Sequence, residues 1–486
     1  MIPELDISLA LKVAWIVPLV GFALMGSAAL FGVRLSERVT AALTRLIQLI
    51  SIASVSALVW DQLAHSGEAR SILIGHWFTT GEQYHMEVTA LLDPLSVTMA
   101  ALTCAITGLI GHFSVNYLHR EAGFQRFFLL LLLFQFGMMT LVLSGSYDLL
   151  FVGWELVGLT SVLLIAFFFE RTGPTLASLR ALITYRAADI GLLFGVVLVH
   201  QFGHSSEYVE VFGASPWLHG VAHMSATHAT LIAGALLLGS MGKSAQFPLG
   251  EWLPRAMEGP TPSSALFYGA LSVHAGVYLL LRSAPLLDQA PIIAALLVLV
   301  GAATAIYANL VQSVQADIKG ALGYATMTQA GLMFVAIGLG FYTLATVHLV
   351  GHAILRATQL LRSPSALREA QLVRATHHGH VVSALTPLDR LLSPKARDGV
   401  YRSALEQFYV NALLSRWVID PILALARAAE SIEQRWVSLF INASAPPPPS
   451  SSSGAGSINT ARPLTAAAAA THTHAEALAL RSERNA

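Results

Sequence analysis

Long apolar runs separated by short polar loops occupy most of the first 362 residues. Stretches such as Phe127 to Gly145 and Pro291 to Val311 are almost free of charge. They approach or reach the roughly 20 residues that a helix needs to cross about 30 Å of hydrocarbon. Read at that length, the pattern predicts about eleven spans. They fall near residues 9–33, 42–60, 91–113, 127–145, 147–169, 182–201, 229–247, 262–283, 291–312, 319–340 and 342–362. The expected fold is an all-α polytopic membrane protein embedded in a lipid bilayer. Glu4 and Asp6 precede the first run, and no small-residue cleavage site stands before Arg34, so this run reads as a retained helix.

The pattern changes after Arg362. Residues 363–395 are mixed and polar, and 401–440 read as amphipathic helix, with Leu405, Phe408, Tyr409, Leu413, Leu414 and Trp417 at three- and four-residue spacings. From Ala443, a proline run, a serine run and an alanine tract predict a disordered tail. Four regions result: 1–90, with two spans and an outer loop; 91–362, the main helical body; 363–442, a cytoplasmic amphipathic segment; and 443–486, the tail.

Composition sharpens this picture. Of 486 residues, 55% are hydrophobic and 12% charged, against roughly 25% charged in soluble chains. Lys+Arg and Asp+Glu both number 28, so net charge gives no reason to expect a nucleic-acid partner. The distribution matters more. Loops holding Arg34, Arg38 and Arg45, then Arg120 and Arg126, then Arg171 and Arg180, then Arg255, then Lys319 alternate with loops nearly devoid of Lys and Arg. The positive-inside rule then predicts an N-terminus outside and a cytoplasmic C-terminus; the expected location is the cell inner (plasma) membrane, crossed many times. Cys104 is the single cysteine, which excludes an internal disulfide and a cysteine-ligated iron–sulfur cluster. Any redox centre must lie on another subunit, and no cofactor is expected here. Thr376-His377-His378-Gly379-His380 and Thr471 to His474 lack nearby Cys or carboxylate ligands at a defined spacing, so no metal site is expected from them.

Ionisable residues inside spans are costly, each by about 2.5–3.5 kcal/mol even on a lenient insertion scale, and need a partner, a water-filled cavity or a role. Glu155, in Gly153-Trp154-Glu155, lies roughly 12 Å into its helix at 1.5 Å per residue. Lys243 is comparably deep. The two either lock helices as a structural pair or exchange a proton, since desolvation brings carboxylate and lysine toward a common range. Arg186 and Asp189 stand at i, i+3 and can pair on one helix face, either as an interfacial ion pair or as part of the buried set. His348, His352 and Arg356 stand at i, i+4 and i+8 on one stripe. They suit proton relay, unless Arg356 snorkels and the histidines merely pack. His274 alone reads first as a packing histidine. Pro248, Pro254, Pro260 and Pro262 predict that the span bearing Lys243 breaks just after it. In membranes such breaks survive where they are buried or line a cavity.

The segment Gly242-Lys-Ser-Ala-Gln-Phe-Pro-Leu-Gly-Glu-Trp-Leu-Pro-Arg-Ala-Met-Glu-Gly-Pro-Thr-Pro-Ser-Ser-Ala-Leu266 closely resembles the antiporter-like membrane subunits of respiratory complex I, particularly the L (chain 5) type, and their relatives in Mrp antiporters. Gly153-Trp154-Glu155, Arg186-Ala-Ala-Asp189, Ala275-Gly-Val-Tyr278, Asp317-Ile-Lys319, Tyr324-Ala-Thr-Met-Thr-Gln329 and His348-Leu-Val-Gly-His352 match in order, over about residues 88 to 362. The resemblance implies inverted five-helix repeats, each with one broken helix, and a polar axis in mid-membrane. It implies that Glu155 and Lys243 form a charge pair tuned by Asp189, and that Lys319 and the histidines carry protons onward.

Three departures stand out. Arg356 replaces the family's lysine, Tyr268 its usual histidine, and the second repeat reads as truncated. The implied function is a proton-translocating subunit of an NADH:quinone oxidoreductase-like complex, a translocase part working beside other membrane and soluble subunits and moving H⁺ or Na⁺. Two rivals are the membrane subunit of a two-component DAB-type inorganic-carbon transport system and a non-conducting structural subunit.

Overall fold

The computed structural model describes residues 7–80, 84–215, 217–376, 393–410, 412 and 415–440. Glu4, Asp6, His377, His378, His380, Leu413, Leu414 and the expected tail 443–486 lie outside the described residues. The chain falls into two compact units, residues 1–423 and 424–486.

The first unit opens with α1 (Ile7–Leu30) and α2 (Glu37–Ala64), joined by a turn that Ser36 closes by accepting the amide of Val39. Next come strands β1 (Arg70–Thr80) and β2 (Tyr84–Leu92), paired antiparallel. This hairpin occupies part of what the sequence presents as an outer loop. Period-two alternation along Glu87-Val88-Thr89-Ala90 was its signal. Asp93 then starts α3 (Pro94–Tyr117) with a capping box, its side chain accepting the Ser96 amide while Ser96 Oγ accepts the Asp93 amide. α4 (Phe124–Leu143), α5 (Tyr147–Ile165) and α6 (Thr172–Gly203) follow in alternating directions. The hairpin, the starts of α3 and α5 and the end of α6 therefore share one side. Ala90 bridges Ser144, and Ser146 bridges Glu207, just ahead of α7 (Tyr208–Phe212).

α8 (Ala226–Lys243) ends at the expected break. Ala245 adopts a left-handed conformation, φ +52°, and the chain continues through short turns, including α9 (Trp252–Arg255). The span Thr261–Arg282 is itself composite: α10 (Thr261–Ser263), a π-helical turn Ser264–Ala270, a 3-10 turn Ser272–His274 and α11 (Ala275–Arg282). Every residue of it is buried, so it forms the centre of the bundle. α12 (Ala284–Asp288), α13 (Pro291–Gln312), α14 (Ile318–Gly338) and α15 (Tyr342–Thr376) complete the body.

Among the described residues, nine helical segments are long and apolar enough to cross a membrane. α8 and α15 fill the places of the other two expected spans; their polar residues, Lys243 in one and His348, His352 and Arg356 in the other, dilute their apolarity. Helix α15 also runs past the expected end at 362, to Thr376. Polar side chains tie spans together, as where Gln48 Nε2 donates to Gln135 Oε1 at 2.8 Å between α2 and α4.

Beyond the core, α16 (Pro394–Leu405) is capped by Ser393, and the Phe408 ring meets Tyr307 of α13 at a tilt of 57° with ring centres 6.0 Å apart. The second unit, in its described part, is the body of α17 (Asp420–Phe440). Ile432 and Trp436 lie on one stripe and are exposed.

Candidate functional site

The break leaves Lys243 as the last helical residue of α8 and one of the most deeply buried charges, 1% exposed. Its Nζ donates to the carbonyl of Trp154 at 3.2 Å. It also lies 5.0 Å from the Trp154 ring centre and 4.5 Å from that of Tyr185, an aromatic cage for a cation. Gly158 makes this approach possible, since a Cβ there would stand 2.7 Å from Nζ.

Glu155 projects from the same turn of α5. Its ion-pair partner is Arg186, not Lys243, and Arg186 also reaches Asp189 at 3.3 Å. Asp189, 5% exposed, accepts the indole N–H of Trp154 at 2.6 Å. Trp154 thus touches both sides of the charge set, through its ring to lysine and through Nε1 to aspartate. Lys243 feels both carboxylates through space. Arg186 sits midway along α6, because that helix begins at Thr172, ahead of the expected 182. Pro174 and Arg180 had hidden the earlier start.

On the other side of the break, Ser244 Oγ donates to the carbonyl of Val273 at 2.7 Å. This bond joins the residue after Lys243 to the residue before His274. His274 is fully buried; its Nδ1 lies 2.7 Å from the Ala270 carbonyl and its Nε2 3.0 Å from Nδ1 of His352. His348, one turn before His352, reaches Gln329 Oε1 of α14 at 2.9 Å. Arg356, 6% exposed, does not reach the surface; its Nη1 donates to Gln359.

Lys319 stands apart from this row. In the first turn of α14, it donates to the carbonyls of Met257 at 2.7 Å and Gly259 at 3.1 Å, two carbonyls of the segment after the break.

Several members escaped sequence reasoning. The Trp154–Tyr185 cage was visible only as an aromatic beside Glu155. Gln329 lay inside a quoted motif without a role. The pair Asp93–Arg282, with both side chains essentially unexposed, joins residues 189 positions apart. Glu251 is placed against Arg180 at 3.3 Å and Arg255 at 2.6 Å; its i, i+4 spacing to Arg255 was the signal in the sequence, while Arg180 was not visible as a partner.

Residues 144–391 match the family described as NADH:quinone oxidoreductase/Mrp antiporter, TM, and residues 77–128 match the N-terminus of complex I chain 5. The chain belongs to this antiporter family. It is 32% identical to NADH-ubiquinone oxidoreductase chain 5 of Cryptococcus neoformans over 82% of its own length and 61% of the relative's. With NADH-quinone oxidoreductase subunit L of Neisseria meningitidis serogroup A it shares 35% identity, over 74% of this chain and 54% of that one. This family member therefore spans between half and two thirds of the length of these relatives.

Among solved structures, the Mrp complex from Dietzia sp. DQ12-45-1b is similar with a TM-score of 0.57 and 27% identity, covering 73% of this chain and 37% of the other. The archaeal membrane-bound sulfane sulfur reductase, at 18% identity and a TM-score of 0.58, shares the fold. These comparisons favour neither the inorganic-carbon subunit nor the non-conducting one.

Proposed function

We propose that this chain is a proton-conducting membrane subunit of an NADH:quinone oxidoreductase-type assembly, working beside redox subunits. The observation that carries the reading is Lys243. It is an ammonium buried at a helix break, within electrostatic reach of Glu155 and Asp189. The Ser244–Val273 bond holds the residue after it against the residue before His274. Discontinuous helices with an ionisable residue at the break mark ion paths in membrane transporters.

In this reading Lys243 exchanges its proton with the Glu155–Arg186–Asp189 set on one side and with the His274–His352 pair on the other. Arg186 competes with Lys243 for Glu155, so the partner of that carboxylate switches as the lysine charge comes and goes. Lys319 holds the segment after the break by binding its carbonyls. The charge pattern of the loops supports an N-terminus outside and a cytoplasmic C-terminus. The partners are further subunits, consistent with relatives named as parts of multi-subunit complexes.

Proton uptake by vesicles containing the full chain tests the reading. Lys243→Ala should abolish uptake while the protein still inserts and remains monodisperse. Undiminished uptake in that variant would remove Lys243 from the path and the reading with it.

A further inference from the structure

Two buried polar atoms beside the histidine pair have no protein partner: Nε2 of His352 and Nε of Arg356. Buried polar groups in folded proteins are hydrogen-bonded, to protein or to ordered water, with few exceptions. The two residues are at i, i+4 on α15, on adjacent turns of one face, and they interact through space.

Hydrogen-bond logic fixes what each atom offers. The Ala270 carbonyl can only accept, so His274 Nδ1 carries a hydrogen. A neutral His274 then has a bare Nε2, which accepts from His352 Nδ1–H. A neutral His352 is left with a bare Nε2, an acceptor. Arg356 Nε–H is a donor and stays protonated. An acceptor and a donor, both buried and both unmatched, thus stand one turn apart on the same helix.

We propose that an ordered water is held between Arg356 Nε–H and His352 Nε2, and that through it Arg356 orients the relay in place of releasing a proton itself. The water accepts from Arg356 and donates to His352, so its hydrogen points into the histidine pair. Its remaining hydrogen and lone pair are left for the hydrated route that the conduction reading requires, and the relay step proposed here rests on that reading.

A proton arriving on this water makes it hydronium. One O–H bond breaks as an N–H bond forms at His352 Nε2. The His352 Nδ1–H bond breaks as an N–H bond forms at His274 Nε2. The water is neutral again, His352 has exchanged tautomers, and the positive charge rests on His274. Arg356 is therefore a positioning residue, and its fixed charge drives the proton away from the water toward His274.

The full chain, ¹⁵N-labelled at histidine in lipid nanodiscs, provides the test by solid-state NMR, with His274→Asn and His352→Asn used for assignment. At neutral pH, His352 should carry its hydrogen on Nδ1, and its bare Nε2 should correlate with a water proton. Arg356→Met should remove that correlation and lower proton flux in vesicles at least about tenfold, while Arg356→Lys, which keeps a donor, should retain both. A wild-type His352 protonated at Nε2, or a bare Nε2 without a water correlation, overturns the proposal regardless of how any variant folds. Unaltered flux in Arg356→Met overturns the orienting role. Wild-type vesicles that conduct no protons sink the conduction reading instead, and the spectra still decide the water.

Discussion

His274 and His352 meet nitrogen to nitrogen at 3.0 Å, from positions 78 residues apart in the chain. One belongs to the buried composite span and the other to α15. Their contact is the point where the half of the site organised around Lys243 joins the half organised around Arg356.

If the contact conducts, replacing His274 should slow transport by an amount typical of lost proton transfer, about 10²-fold. His274→Leu, matched in bulk and incapable of relay, is the variant to measure in vesicles. Tyr268→His should not restore it: Tyr268 points to the Ser161 carbonyl, 3.4 Å from its hydroxyl, and not to α15. Rescue by Tyr268→His would show that the proton takes another way through this helix.

Gly158→Ala is expected to impair transport while leaving the bundle assembled. The added methyl would fall 2.7 Å from Lys243 Nζ and push the ammonium off the Trp154 carbonyl. Because the atom displaced is the far end of a flexible side chain, the fold should absorb the change. Initial uptake rates together with size-exclusion profiles check both halves of the expectation.

Arg282→Met should be strongly destabilising. It leaves Asp93, which is fully buried, without its cation, and breaking one side of a buried pair costs about 3–5 kcal/mol. The double variant Asp93→Asn with Arg282→Met should recover part of the loss, since asparagine can still cap α3. Thermal unfolding in detergent is the measurement, and equal stability of single and double variants would contradict the expectation.

On the hairpin side, Glu207 lies outside the spans, and burial together with the nearby Glu210 and Glu87 raises its carboxyl above the usual range. A carboxyl raised in the folded state disfavours the fold once ionised, so its penalty is absent below the unfolded pKa and complete above the folded one. Glu207→Gln should therefore raise the melting temperature at pH 8 and have little effect near pH 4. A pH series of melting temperatures for both proteins checks the sign.

Most of the helical plan could be read directly from the chain, because a span must be apolar for its whole length and a break after Lys243 is forced by proline. The misplaced start of α6 shows the limit of that reading: Arg180 lies on a helix whose first turns lie beyond the apolar stretch. Pairing was harder to read. Glu155 and Lys243 were both identifiable as buried charges, yet only three-dimensional packing gives the carboxylate to Arg186 and the ammonium to two rings. His274 looked like packing because a lone histidine has no visible partner in one dimension. The hairpin was missed because its alternation is short and sits between spans with far stronger signals.

The π-helical turn Ser264–Ala270 adds residues to one turn of the central helix, and such turns cluster at functional sites. Every side chain after it is rotated relative to a helix of constant pitch. A column-by-column alignment across this turn would equate residues that face different neighbours. Here Tyr268, within the turn, is directed to the Ser161 carbonyl of α5, and His274, six positions on, to His352 of α15.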